Sequence, residues 1–150
     1  MGLMLAIADE EALYLLEFEN RIDSKSRMDL GRNQTIDFLE EELHQYFAGK
    51  LTEFQTRIRL AGTDFQRSVW QALLNIPYGK TRSYAAIAAT IGKPTAYRAA
   101  ALANGANPIG IIVSCHRVIN QSGALGGYGG GIERKKRLLE LERSHATLRA

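Results

Sequence analysis

Residues 113–119 read Val-Ser-Cys-His-Arg-Val-Ile, and this stretch contains the single cysteine of the 150-residue sequence. A cysteine acts as a nucleophile only as the thiolate, and neighbouring positive charge favours that form. Because His116 and Arg117 directly follow Cys115, the stretch is compatible with a reactive cysteine. A free cysteine is also commonly a small buried residue in a strand. On these residues alone, a nucleophilic and a structural cysteine both stay open.

The composition limits the class of protein. A chain of 150 residues with 45% hydrophobic residues fits one domain, or two small subdomains that share a core. One cysteine permits no internal disulfide, and the three scattered histidines predict no metal site. The apolar runs are too short for a signal peptide or a membrane span. We therefore expect a cytoplasmic protein, with no metal, no cofactor and no membrane contact.

The charge is distributed unevenly along the chain. Residues 1–60 contain 7 basic and 12 acidic residues, a net charge of −5, whereas residues 61–150 contain 12 basic and 4 acidic residues, a net charge of +8. A basic surface can simply be solvated. Since the basic part also contains the cysteine, a polyanionic partner is favoured, and nucleic acid is the leading candidate.

The first sixty residues predict a small α/β subdomain. Apolar runs at residues 3–7 and 12–18 predict a β-hairpin. Residues 35–47 have apolar side chains at helical spacing and predict an amphipathic helix, whose acidic face, including Glu42, is expected in solvent. Residues 54–60 alternate in polarity and predict a further strand.

The remaining residues, 61–150, predict a mostly helical subdomain. Thr63 is a plausible N-cap for a helix that ends before Pro77. Residues 83–91 and 95–103 predict two short helices joined by a tight turn, as in a helix-turn-helix. Any helical hairpin also gives this pattern, so DNA binding is not established by it.

Three further segments complete the C-terminal part. The Ala-rich helix at residues 95–103 has Arg98 as its only charged residue, which suits close packing on the core or in a groove. Residues 123–131 contain six glycines and predict a flexible wall beside a flat ligand. Residues 133–143 predict a final helix, and we expect its basic run, residues 134–137, to face solvent.

Taken together, these segments resemble those of the O6-alkylguanine-DNA alkyltransferases, also called methylated-DNA-[protein]-cysteine S-methyltransferases. Six elements match in order and spacing, strongly over residues 62–142 and more weakly before them. They are Tyr84, Arg98, Asn107-Pro108, the Cys-His-Arg-Val run at 115–118, Gly127-Tyr128 and the Leu-Leu-Glu-Leu-Glu run at 138–142.

The resemblance implies irreversible, single-turnover transfer of an alkyl group from O6 of guanine to Cys115. O4 of thymine is a second candidate donor. His116 would take the thiol proton through a water, because adjacent side chains in an extended run point apart. Glu142 would hold the other imidazole nitrogen, Asn107 would order the turn before the cysteine, and the Tyr84 hydroxyl would donate to the leaving guanine.

The partner implied by the resemblance is double-stranded DNA that contains O6-alkylguanine. The alkylated base must leave the duplex, and Arg98 would fill the gap. Thr95, Ala99 and Tyr84 are the other expected DNA contacts. We expect the protein to act as a monomer.

The implied substrate pocket contains Tyr128, Gly129, Val118 and Asn104. Some relatives have a hydrogen-bonding side chain where this chain has Gly129, so here only backbone is expected to donate to the alkylated oxygen. A second departure is Ser114, where the family usually has proline.

The resemblance also refines the expected α+β (α/β) fold. It implies an RNase H-like subdomain over residues 1–60 and a winged-helix-like one over residues 61–150. A chain that begins at its first strand is compatible with a longer protein that has an additional N-terminal domain. Two other functions stay open: a helix-turn-helix binding module or regulator with a structural cysteine, and a cysteine hydrolase.

Overall fold

The computed structural model describes residues 1–22 and 31–149, so residues 23–30 of the predicted N-terminal subdomain lie outside it. The described residues form a mixed α/β fold with five α-helices and two two-stranded sheets. None of the described helices has the length and apolar character that crossing a membrane requires.

The chain begins with the predicted hairpin. β1 (Met4–Ala8) pairs antiparallel with β2 (Leu13–Phe18), and Met4 lies opposite Phe18. The Asp9 carboxylate closes the turn because it accepts hydrogen bonds from the amides of Glu11 and Ala12, both at 2.8 Å.

Helix α1 (Gln34–Phe47) follows, and the Asn33 side chain caps its N-terminus. The predicted solvated acidic face is wrong at Glu42, which is buried and accepts hydrogen bonds from the amides of Gln55 and Thr56 at 2.8 Å each. The predicted strand at residues 54–60 is reduced to a single parallel bridge between Ile58 and Leu13.

Helices α2 (Asp64–Leu74), α3 (Tyr84–Thr90) and α4 (Tyr97–Gly105) pack against one another. The Thr63 and Ser83 side chains cap α2 and α3, as their residue types favour. Helix α4 begins two residues later than predicted and has no side-chain cap.

Trp70 ties α2 to α4, since its indole Nε1–H donates to the carbonyl of Ala103 at 2.8 Å. Trp70 is completely enclosed in the main core, which also includes Leu13, Leu16 and Ile109. Burying each such aliphatic side chain stabilises a fold by about 1.5–3 kcal/mol. This core joins the hairpin to the helices.

Two short parallel strands place the cysteine segment beside α3. β3 (Arg82–Ser83) pairs with β4 (Val118–Ile119), so the turn before β4 lies next to the start of α3. The last helix, α5 (Ile132–Arg149), packs against this turn, and Leu138 on its inner face is buried.

Candidate active site

The cysteine lies in a tight turn rather than in the extended run that the sequence predicts. Residues Cys115–Arg117 form a single 3₁₀ turn, in which the Arg117 amide donates to the Ser114 carbonyl at 3.0 Å. Consecutive side chains in a turn fan out on neighbouring sides, whereas those in a strand alternate between faces. The turn therefore allows Cys115, His116 and Arg117 to be placed independently.

Cys115 is buried at the floor of a cavity. Burial raises the pKa of its thiol, while the Asn107 side chain and the positive charge of Lys135 oppose this rise. The thiol is therefore the resting form at neutral pH, and any reaction through the thiolate would need a base to remove the proton.

His116 and Glu142 form a buried pair beneath the cysteine turn. His116 Nε2 lies 2.9 Å from Glu142 Oε2. Burial lowers the pKa of His116 despite the opposing effect of Glu142, so the imidazole is neutral at pH 7. A neutral imidazole beside a carboxylate carries its proton on Nε2. Nδ1 then has a free lone pair, and it has no hydrogen-bond partner in the described part of the chain.

Arg117 shares the same carboxylate, which the sequence does not reveal. Its Nε donates to Glu142 Oε1 at 2.5 Å, and Nη1 donates to the Ile76 carbonyl at 2.6 Å. Burial alone would raise the pKa of Glu142, but the hydrogen bonds and charges of His116 and Arg117 outweigh it and keep this pKa below the usual value. Arg117 therefore neutralises Glu142 instead of activating Cys115 directly.

Two asparagines fix the backbone around the cysteine. Asn107 Nδ2 donates to the Val113 carbonyl at 2.8 Å, and its Oδ1 accepts from the Ile109 amide at 3.0 Å. Asn104 Nδ2 lies 3.4 Å from the Cys115 carbonyl. Both side chains are buried, so they hold the approach to Cys115 in one conformation.

A cavity of about 710 Å³ opens above Cys115. Six of the predicted site residues line this cavity. They are Tyr84, Arg98, Asn104, Cys115, Tyr128 and Gly129.

The remaining predicted contacts lie elsewhere. Val118 is completely buried in the core and is not among the residues that line the cavity, so its contact with the base stays a prediction. Thr95 and Ala99 are exposed beside the cavity rather than on its lining.

Tyr84 lies at the start of α3, where β3 fixes the backbone. Burial and the nearby Cys115 raise the pKa of its hydroxyl, so this group is a hydrogen-bond donor at neutral pH. Gly126 has a φ of 70°, and a Cβ there would lie 3.1 Å from the Tyr84 oxygen. Glycine is therefore needed at this point for the loop to approach Tyr84.

Lys135 corrects the prediction of a solvated basic run on α5. It is completely buried, and its Nζ donates to the carbonyls of Val118 at 2.6 Å, of Gly127 at 3.1 Å and of Leu125. Burial lowers its pKa to about 8, and Cys115 opposes this shift. Lys135, Leu138 and Glu142 are three and four residues apart, and this shared helical face is the signal that could have identified it.

Arg21 lines the cavity, and the sequence did not indicate this position. It ends a short 3₁₀ helix, Glu19–Arg21, directly after β2, and its side chain reaches the cavity wall at Gly129. It comes from the acidic part of the chain, far in sequence from Cys115. No local pattern around Arg21 points to this position.

Comparison with known proteins agrees with this geometry. The family model of the DNA-binding domain of 6-O-methylguanine DNA methyltransferase matches residues 64–144, more than half of the chain. The chain belongs to this family. A methylated-DNA–protein-cysteine methyltransferase of Mycobacterium bovis is 65% identical over 106 residues, which cover 71% of this chain and 64% of that protein. The alignment thus spans less than two-thirds of the mycobacterial methyltransferase.

Two further methyltransferases match nearly the whole chain. The Methanosarcina barkeri protein is 45% identical over 150 aligned positions, covering 97% of this chain and 93% of its own. The crystal structure of Mycobacterium tuberculosis OGT in complex with DNA superposes with a TM-score of 0.88 at 49% identity, covering 95% of this chain and 87% of that one. This chain therefore has the same fold as that OGT structure.

Proposed function

We propose that the chain repairs DNA by transferring an alkyl group from O6 of guanine to Cys115 in a single turnover. The observation that carries this proposal is the position of Cys115 at the floor of a cavity. The neutral imidazole of His116 lies behind it and is hydrogen-bonded to the Glu142 carboxylate. A cavity of about 710 Å³ can enclose a purine base with its alkyl group.

Cys115 loses its thiol proton before the sulfur–carbon bond forms. His116 Nδ1 takes the thiol proton through a bridging water, and Glu142 stabilises the imidazolium. Sγ then bonds to the alkyl carbon while the carbon–O6 bond breaks, and its electron pair stays on guanine. Guanine takes up one proton from the Tyr84 hydroxyl, which lines the cavity. Water then returns a proton to Tyr84, and the imidazolium of His116 releases its extra proton to solvent. The thioether has no route back to the thiol, so each chain acts once.

DNA binding belongs to the helices beside the cavity. We assign α3 and α4 to a helix-turn-helix in a winged-helix-like subdomain, residues 61–150, and residues 1–60 to an RNase H-like subdomain. Arg98 is exposed on α4 at the cavity mouth, so it can enter a duplex from which the base has left. Thr95 and Ala99 would lie against the DNA backbone. We also expect the protein to act as a monomer in the cytoplasm.

The test is an intact-mass measurement after incubation with a duplex that contains O6-methylguanine. We expect the mass of one methyl group on Cys115 and no further reaction, with no gain in a Cys115→Ala control. Demethylated guanine in excess of one equivalent per chain would contradict the single-turnover mechanism and favour a hydrolase. Binding of the duplex without methylation would instead indicate a binding module with a structural cysteine.

A further inference from the structure

Arg21 presents a largely unused cation to the cavity that contains Cys115. Its side chain is 32% exposed, and its ion-pair partner in the described residues, Glu17, lies 3.9 Å from Nε. At 3.9 Å this ion pair is too long for a hydrogen bond. Within the described residues, the five N–H donors of the guanidinium thus stay available to a ligand in the cavity.

Gly129 shows how closely Arg21 approaches the cavity wall. A Cβ at position 129 would lie 2.9 Å from Arg21 Cδ and 3.0 Å from Cζ, and it would overlap Nη1. The Arg21 side chain therefore packs directly on the backbone of Gly129, in the space that any larger side chain at position 129 would occupy. Its charge also opposes the rise in the pKa values of Cys115 and Tyr128, so the guanidinium is electrostatically coupled to both groups.

We propose that Arg21 reads the alkylated base by donating a bidentate pair of hydrogen bonds to O6 and N7 of guanine. This inference rests on the proposed function. Guanine presents two acceptors on that edge, and arginine is the side chain whose planar fork matches them. Adenine presents a donor in place of O6, so Arg21 also disfavours adenine.

The same contact would assist the transfer step. As the carbon–O6 bond breaks, its electron pair remains on guanine, and the charge grows on the oxygen that faces the guanidinium. A fixed cation at that point stabilises the transition state more than the bound substrate. Arg21 would thereby supply the donor that the sequence assigns to backbone alone at Gly129.

The experiment follows single-turnover labelling of Cys115 by the free base O6-benzylguanine, which has no phosphate. We expect Arg21→Ala to slow labelling by about tenfold or more and Arg21→Lys to give an intermediate rate, because lysine keeps the charge but loses the fork. The matched control is Arg59→Ala, which removes an exposed arginine of the N-terminal part and should react like the wild type.

Two further arms locate the contact. O6-benzyl-7-deazaguanine lacks N7, so it should react more slowly than O6-benzylguanine with the wild type and at the same rate as O6-benzylguanine with Arg21→Ala. Gly129→Ala should slow labelling because its methyl group displaces the guanidinium, and this effect should disappear in the Arg21→Ala background.

The outcomes separate this inference from the proposed function. If the wild type is not labelled at all, the proposed function fails. If the wild type is labelled and Arg21→Ala reacts equally fast, the role of Arg21 is overturned and the proposed function stands. If Arg21→Ala slows only the reaction with duplex DNA, Arg21 contacts a phosphate, and the base contact is wrong. Should the alanine variant not fold, Arg21→Lys and the 7-deaza substrate decide the question.

Discussion

A single carboxylate, that of Glu142, holds both residues that follow the cysteine. It accepts from His116 Nε2 and from Arg117 Nε, and all three side chains are buried. A buried carboxylate is tolerated only when its charge is compensated and its oxygens are hydrogen-bonded. Arg117 provides the compensating charge, so His116 can stay neutral, as the proposed role of a base requires.

Replacing Glu142 with Gln should separate chemistry from DNA binding. The amide cannot stabilise the imidazolium, so we expect single-turnover transfer to slow by more than about tenfold, with DNA affinity unchanged. Because Arg117 also loses its counter-charge, we expect a stability loss of about 1–3 kcal/mol. The measurements are labelling of Cys115 well below the melting temperature and urea unfolding. Equal transfer rates for variant and wild type would remove Glu142 from the mechanism.

The lowered pKa of His116 has a consequence for stability. The unfolded chain takes up a proton on this residue as the pH falls through about 6.5, while the folded chain does so only at lower pH. The unfolded state then binds more protons, so stability decreases as the pH falls below about 6.5. Urea unfolding at pH 7.5 and 5.5 measures this loss, which should be smaller in a His116→Asn variant. A pH-independent difference between the two proteins would contradict the neutral, buried imidazole.

At the scale of elements, α5 fixes the glycine-rich wall of the cavity. Lys135 donates to carbonyls of residues 118, 125 and 127, so one side chain ties β4 and the loop to the helix. The loop is therefore held by a specific contact, although its glycine content predicts a flexible wall.

Lys135→Met keeps the length of the side chain and removes all three donors. We expect faster amide hydrogen exchange over residues 123–131 and alkyl transfer slowed by about tenfold, because an imprecisely placed wall positions the base poorly. The matched control is Lys136→Met, since Lys136 is the exposed neighbour on the same helix. Unchanged exchange in the Lys135 variant would show that the loop is ordered without this contact.

The elements that the sequence predicts well are those with local signals. The hairpin, α1 and the capped helices α2 and α3 follow from periodicity and N-cap residues. The conformation at Cys115 does not follow from the local sequence, because it depends on Glu142, which is distant along the chain. His116 and Arg117 both reach Glu142, which adjacent residues of an extended strand could not do. The buried position of Lys135 and the position of Arg21 at the cavity likewise depend on contacts across the fold.

At the scale of the whole molecule, the acidic and basic parts of the chain meet at the cavity. Arg21 belongs to residues 1–60, whose net charge is −5, while the other cavity residues belong to residues 61–150, whose net charge is +8. The basic part carries α4, where Arg98 is exposed beside the cavity mouth. We therefore expect Arg98 on α4 to contact DNA at the cavity mouth and Arg21 to contact the base inside the cavity.

This separation predicts different responses of two substrates to Arg98→Ala. Extruding a base from a duplex costs a few kcal/mol, and an inserted side chain offsets part of that cost. We expect Arg98→Ala to slow repair of O6-methylguanine in double-stranded DNA strongly and to affect the free base O6-benzylguanine only slightly. Both reactions are measured by single-turnover labelling of Cys115 at fixed salt.

The control for Arg98→Ala is Arg67→Ala, which removes an exposed positive charge from α2 in the same basic part of the chain. Loss of general attraction to phosphates would slow the duplex reaction similarly in both variants, and raising the salt would reduce the difference from the wild type. Loss of an inserted side chain would affect the Arg98 variant alone, at every salt concentration. If Arg98→Ala slows the duplex and the free base equally, Arg98 acts within the pocket or in folding, and α4 does not assist extrusion of the base.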